Sequence, residues 1–370
     1  MKLCFVAHLN DLSGANRSLV DLIEVLKNNN DITVIVPRKG ELYEYLLSKG
    51  FSTHIIPSGM WVYSKNESKI KIIMKAVSNI VGEVLFFWYL ISHHFDDMHF
   101  NSSTYGCGAL SCKLLKRKYT WHIRELAEET FDLRFYDKKR SLSLIANADK
   151  VIAISNFIGD KFQPFIPEKK MVVIHNGVRI PKSESVECAI INGLLFVGAI
   201  NQDKGQLDAL KALFILKEKY DVILPIYFIG KITNERYYAR LVEYINSHGL
   251  KESVHFEGYH QDITKYRTPD KIVLMCSKQE AFGRVTIEAF ANHQIIIGNS
   301  AGATPEIIRD HEYGYLYNGS PESLADSIFE VMSNPNNVLM INESYEYAKE
   351  HFSIEITASK LELLLQSVVR

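Results

Sequence analysis

The strongest constraint on the fold is a repeating alternation of short, apolar, β-branched runs with longer stretches of helical spacing. Runs of the first kind lie at residues 3–8 (LCFVAH), 32–37 (ITVIVP), 53–57 (THIIP), 119–122 (YTWH), 150–155 (KVIAIS) and 171–178 (MVVIHNGV). A strand covered on both faces reads as a continuous apolar run, so these are expected to be buried parallel strands. Helical stretches at 15–27, 41–49 and 104–117 separate them, which is the pattern of a doubly wound α/β sheet. After Pro181 a polar stretch, KSESVE, interrupts the alternation. It then restarts at 194–200 (LLFVGAI), 222–230 (VILPIYFIG), 253–258 (SVHFEG), 271–277 (KIVLMCS) and 294–299 (QIIIGN). A chain of 370 residues exceeds what one hydrophobic core usually serves, and 47% apolar residues can supply two. The expected organisation is a first domain over 1–180, a linker over 181–193, a second domain over 194–352, and a C-terminal helix over 353–370 that packs on either domain, including back on the first. The two halves share a pattern without a residue-level repeat.

Charge and cysteine usage remove several classes of function. Charged residues make up 23% of the chain and the formal net charge is −1, which excludes a strongly basic nucleic-acid binder and a disordered chain. The five cysteines, Cys4, Cys107, Cys112, Cys188 and Cys276, are odd in number and scattered, with no CxxC pair, so neither a disulfide framework nor a zinc site is expected. The start, MKLCFVAHLN, lacks the long apolar region and cleavage site of a signal peptide and reads as the first strand of a cytoplasmic protein. No DxD occurs, and apart from Asp96-Asp97 no clustered carboxylates suggest a divalent metal site.

Ligands of open α/β sheets bind beyond the carboxyl ends of the strands, where strand order reverses, so loops after strands should carry the chemistry. With two such domains, a cleft between them is the expected site. The segment SKQEAFGRVTIEAF (277–290) follows an apolar strand and passes through Gly283 into a helical pattern. Amides of Gly283, Arg284 and Val285 would open a helix N-terminus, whose unpaired donors suit a diphosphate. Glu280 precedes the turn, and Glu288 lies a turn inside the helix on the face it shares with Arg284. Two acceptor-only carboxylates so placed can grip hydroxyls; equally, they can be a loop charge and a solvated helix residue. The segment HLNDLSGANRSLVDLI (8–23) runs from strand to helix through Gly14 but lacks G-x-G-x-x-G. The second strand ends in Val36-Pro37-Arg38 where an NAD binder usually has an acid, which demotes a dehydrogenase.

The Glu280, AFGRVTI, Glu288 stretch resembles the signature of retaining GT-B glycosyltransferases, specifically glycosyltransferase family four, in which two Glu flank a Phe-Gly turn. Other segments match that family in order: VGAINQDKG (197–205), HFEGYHQD (255–262), NSAGATPEII (299–308), YTWHIRELAEE (119–129), HNGV (175–178) and the loop at Gly14. The resemblance implies a GT-B fold of two Rossmann-like domains with an interdomain cleft, and transfer of a sugar with retention from a nucleotide-sugar donor, such as a UDP-, GDP- or dTDP-sugar, to a glycan or lipid-linked acceptor. It implies bacterial-type surface polysaccharide synthesis, with neither metal nor cofactor. Glu280 would then hold donor-sugar hydroxyls and Glu288 the ribose, with Phe282, Gly283 and Arg284 beside the phosphate. Gly14, Gly198 and Lys204 would line the diphosphate, where a cation stabilises the leaving charge, and Tyr259 would lie near the base. The resemblance makes His122 a contact to the transferred sugar and Arg124 and Glu125 acceptor contacts. One departure is Ala199, where the family often has Arg. A sugar-nucleotide epimerase or a phosphorylase of the same architecture, and a catalytically silent nucleotide-sugar-binding protein, remain the alternatives.

Residues 70–91 are strongly apolar, end in VLFFWYLI, and follow Lys65, Lys69, Lys71 and Lys75. Interrupting charges argue against a membrane span. Two readings stand: a helix buried on the first sheet with lysines on its wet side, or an interfacial helix giving a peripheral contact at the inner face of the plasma membrane.

Overall fold

A computed structural model describes residues 1–12, 14–65, 67–128, 133–187, 190–260 and 262–369. Cys188 lies outside the described residues. The chain separates into two compact units, Met1–Gly177 with Ile354–Arg370, and Val178–Ser353. Both are mixed α/β with a parallel sheet.

In the first unit the strands are β1 (Lys2–Val6), β2 (Asp31–Val36), β3 (Ser52–Ile55), β4 (Val62–Ser64), β5 (Asp97–Phe100), β6 (Tyr119–Ile123), β7 (Leu133–Phe135), β8 (Lys150–Ala153) and β9 (Met171–Val173). Seven of them form a parallel sheet in the order β3-β2-β1-β5-β6-β8-β9, while β4 and β7 pair antiparallel apart from it. Strand order reverses between β1 and β5. Leu3, Phe5, Val34 and Val36 pack beneath the helices Gly14–Leu26 and Ile354–Val369 in one apolar core. The last helix is held there by Ile354, Leu361 and Leu365, all buried, and Thr357 donates to the His175 carbonyl at 3.0 Å.

The second unit contains β10 (Gly193–Val197), β11 (Ile226–Ile229), β12 (Val254–Gly258), β13 (Lys271–Met275), β14 (Ile296–Asn299) and β15 (Tyr315–Tyr317). Their order is β12-β11-β10-β13-β14-β15, all parallel, so the reversal falls between β10 and β13. Leu194, Phe196, Ile272, Leu274 and Ile297 are buried against the helices Gln206–Tyr220 and Pro321–Ser333.

The apolar-run reading misses β5, whose sequence DMHF carries two buried polar residues, along with the antiparallel pair of β4 and β7 and the short edge strand β15. The helix expected over 104–117 spans only Ala109–Leu114. Ser102, Ser103 and Thr104 are buried in a loop before it because Glu125 and one another's hydroxyls satisfy their polar groups. The 70–91 segment is one helix, Lys69–Ser92, started by Ser68, whose side chain accepts from the Lys71 amide. Its wet side is not basic. Ile73, Val77, Ile80 and Trp88 are exposed there, while Lys75 pairs with Glu67 at 2.6 Å.

Candidate functional site

In the second unit three loops converge on Glu280. The loop after β10 ends at Gly205, where φ is +82° and a Cβ would lie 2.5 Å from the Cys276 carbonyl oxygen, so only glycine lets this loop approach the end of β13 so closely. That approach brings Lys204 Nζ to 3.0 Å from Glu280 Oε2. The loop after β14 closes the other side. Gly302 has φ of +63° and would clash with Glu280 backbone at 2.5 Å if it had a side chain, and the Ala303 amide donates to the Glu280 carbonyl at 2.9 Å. Burial alone would raise the Glu280 carboxyl; the Lys204 charge and hydrogen bond, with the Gly283 amide, outweigh it and hold the group below its usual range. Glu280 is therefore a fixed anion, 17% exposed, facing a lysine that is 36% exposed.

Gly283 caps the helix Arg284–Phe290 with φ of +88°, and the Thr286 amide bonds back to its carbonyl at 2.9 Å. Glu288 is held by two cations. Arg284 Nε donates at 3.0 Å from one turn before, and Arg267 donates at 2.6 Å from the loop preceding β13. Arg267 is 4% exposed and also reaches Gln294 at 3.4 Å. Lys204 and Arg284 thus sit on different carboxylates. Phe282 is buried, with its ring 6.0 Å from that of Phe352, and acts as an anchor for the turn. Gly198 follows β10, and a Cβ there would lie 3.9 Å from the Lys204 side chain. Tyr259 is half exposed just past the end of β12, two strands and so about 10 Å from β10, with Lys231 Nζ 4.6 Å from its ring centroid.

Arg267 carries no motif and was not singled out by sequence reasoning; its partner is 21 positions away in another element. Ser277 and Thr286 were missed too. The Ser277 hydroxyl is buried beside the Glu280 carboxylate and helps to hold it low, and Thr286 Oγ1, buried without a hydrogen-bond partner among the described residues, would lie 3.2 Å from a Cβ at Gly283. Among the described residues no group of three His, Cys, Asp or Glu is placed to hold a metal ion.

The first unit gathers its polar residues on β5, β6 and the loops after them. His122, expected at a strand end, is the last residue but one of β6 and is 1% exposed. A chain of contacts runs from Asp97, which accepts from Thr120 at 2.7 Å, through His99 Nδ1 at 2.8 Å from Thr120, to His122 Nδ1 at 3.3 Å from His99 Nε2. Arg124 approaches His122 Nδ1 at 3.3 Å. Thr120 gives its hydroxyl proton to Asp97, so His99 Nδ1 donates to Thr120 and the neutral His99 Nε2 accepts; His122 Nδ1 therefore faces both that acceptor and the Arg124 donor. His122 Nε2 is buried without a partner among the described residues. Burial, then the Arg124 charge and His99, push the His122 pKa well down, and the ring is neutral. Arg124 donates to Asn101 at 2.6 Å and to Asn176. Glu125 accepts from Ser102 Oγ, the Ser103 amide and Ser103 Oγ at 2.7, 2.7 and 2.9 Å. These two side chains, expected to meet an acceptor, are bonded inside the unit. Gly14 begins the first helix with φ of +46° and open space where a side chain would lie.

With this geometry in view, two family patterns account for most of the chain. Residues 12–180 match Glycosyltransferase Family 4 and residues 192–351 match Glycosyl transferases group 1. The chain belongs to the group 1 glycosyltransferases. Among its relatives, the capsular polysaccharide biosynthesis glycosyltransferase CapH of Staphylococcus aureus is 23% identical over 91% of this chain and 94% of its own length. An uncharacterized glycosyltransferase of Methanocaldococcus jannaschii is 25% identical, but the match spans only 57% of that relative and 56% of this chain. Solved structures agree on the GT-B fold. HepE of Anabaena, determined with UDP and with UDP-glucose, superposes with TM-scores of 0.81 and 0.80 over 99% of this chain and 100% of that one, at 18% identity. WaaG, a glycosyltransferase of lipopolysaccharide biosynthesis, gives 0.68 over 97% and 99%, at 14% identity.

Proposed function

We propose that this group 1 glycosyltransferase transfers a sugar, with retention and without a metal ion, from a nucleotide-sugar donor to a glycan or lipid-linked acceptor during surface polysaccharide synthesis. The observation that carries the reading is the meeting of Lys204 and Glu280 from the loops after β10 and β13, the two strands that flank the reversal of order. An anion that accepts hydroxyl hydrogens lies beside a cation that can take up charge on a departing diphosphate. Glu280 holds the donor sugar and Lys204 faces the diphosphate, with the Gly283 turn offering amides next to it. Glu288, fixed by Arg267 and Arg284, accepts from the ribose, and Tyr259 lies on the base side. The neutral His122 ring contacts the transferred sugar through its Nε2. The second unit binds the donor and the first presents the acceptor, in the cytoplasm at the inner face of the plasma membrane.

CapH acts in capsular polysaccharide biosynthesis and HepE binds UDP and UDP-glucose, which supports the substrate class and the pathway type. Ala199, in place of the family's common Arg, is the residue that favours a donor-binding protein without turnover. A panel of UDP-, GDP- and dTDP-sugars separates the two readings. The proposed enzyme is stabilised against heat by at least one donor and hydrolyses it slowly without acceptor; a silent binder is stabilised and hydrolyses nothing. Absence of stabilisation by every donor would contradict the site.

A further inference from the structure

Between its first turn and its last residue, the helix Lys69–Ser92 has an apolar water-facing side. From Ile73 to Ile91 every residue exposed on it is aliphatic, methionine or tryptophan, with Ile80 at 67% and Trp88 at 65%. Ile73, Val77, Ile80, Val84, Trp88 and Ile91 recur three or four positions apart, so they form one stripe about 30 Å long. Isolated exposed apolar residues are ordinary; a continuous five-turn stripe is not. Its only acid, Glu83, faces the other way, accepting from the Gly108 amide at 2.8 Å and the Ser111 amide at 2.6 Å.

The ends of the stripe are basic. Lys69 and Lys71 are exposed at its start. At its far end Arg117 donates to the Leu90 carbonyl at 3.0 Å, which fixes the neighbouring segment with exposed Leu114, Lys113 and Lys116 beside the helix. Among the described residues no helix is long and apolar enough to cross a membrane. The opposite face of this one is also committed to the unit, since Phe86 and Leu90 are buried and a Cβ on Gly82 would lie 2.6 Å from the Pro57 carbonyl oxygen.

We infer that this helix docks the protein on an anionic bilayer surface, lying in the plane with its apolar stripe among the acyl chains and Lys69, Lys71, Lys113 and Lys116 among the headgroups. Charge decides between this occupant and a second copy. Both ends of the stripe are positive, so two-fold pairing sets lysine against lysine in either helix orientation, whereas anionic headgroups neutralise both ends. The inference gives the lipid-linked acceptor reading a surface, but it stands or fails without any donor or acceptor.

The test is sedimentation of the full chain with vesicles of phosphatidylcholine mixed with phosphatidylglycerol, and of phosphatidylcholine alone, at low and high salt. The protein is expected to pellet with the mixed vesicles at low salt, with a blue shift of tryptophan emission that Trp88→Phe removes. Ile80→Glu should lower the affinity more than about tenfold, and Lys69→Ala or Lys113→Ala about fivefold each, from about 1 kcal/mol per lysine. Unchanged melting of these variants shows that the fold is kept. The inference is overturned if wild type stays in the supernatant, if Ile80→Glu pellets as well as wild type, or if the chain is a dimer that Ile80→Glu disperses and that ignores vesicles.

Discussion

The two sheets share one strand order at their reversal points but surround them with opposite electrostatics. In the second unit the reversal is ringed by paired ions that keep some exposure: Lys204 with Glu280, and Glu288 with Arg284 and Arg267. In the first unit it is packed with groups that burial has made neutral or bonded to saturation, namely Asp97, His99, His122 and Glu125. The same backbone plan therefore gives one end that can exchange its ion pairs for a charged ligand and one whose charges, Arg124 and Glu125, are bonded within the unit around neutral histidines. A diphosphate suits the first kind, and a sugar or neutral acceptor the second.

The sharpest way to break this contrast is at Glu280. Glu280→Ala should lower kcat by about 10²–10³-fold, the loss typical of removing one preorganised polar group from a reacting centre, while melting stays near wild type. A wild-type kcat would remove Glu280 from the reaction. Next comes Arg267, the almost wholly buried partner. Arg267→Ala should cost about 2–3 kcal/mol in stability and raise the donor KM, because Glu288 loses one of its two supports. An unchanged melting curve would mean that Arg284 alone fixes Glu288. Smaller again is Glu288→Ala, expected to raise the donor KM about tenfold with kcat nearly kept. Equal effects on binding alone at both glutamates would erase the division of labour.

The smallest effect tests the neutral side. Burial pushes the Asp97 carboxyl from 3.8 up to about 7, so the folded chain holds this proton more tightly than the unfolded chain. Asp97 therefore lowers stability as pH rises from about 4 to about 7, and the loss is complete above that window. His99 runs the other way. Burial, then Arg124, brings it from 6.5 to about 3, so its neutral form supports the fold above 6.5 and that support is lost as pH falls towards 3. Asp97→Asn should raise Tm by about 2–4 °C at pH 8, with the gain vanishing near pH 4. A gain that did not depend on pH would mean that Asp97 is charged in both states.

Sequence alone carried the architecture and the Glu280–Gly283–Glu288 turn, because apolar strands and a glycine-initiated helix are local patterns. It could not show Lys204 on Glu280, which depends on two glycines, Gly205 and Gly302, allowing loops from separate strands to close around one backbone. Arg267 was invisible for the same reason. Strand β5 was missed because Asp97 and His99, buried in a hydrogen-bonded chain, break the apolar run that marks the other strands. In the Lys69–Ser92 helix, Lys69 and Lys71 face water as expected, but the exposed side beyond them is apolar and Lys75 is paired with Glu67.

The central claim is that the ionic reversal point of the second unit receives the donor. Hydrogen exchange of the full chain with and without UDP-, GDP- and dTDP-glucose tests it directly. The account predicts that the donor that stabilises the protein slows amide exchange at 198–205 and 280–286, and that Lys204→Ala weakens this protection. A stabilising donor that leaves both segments unprotected would contradict the account.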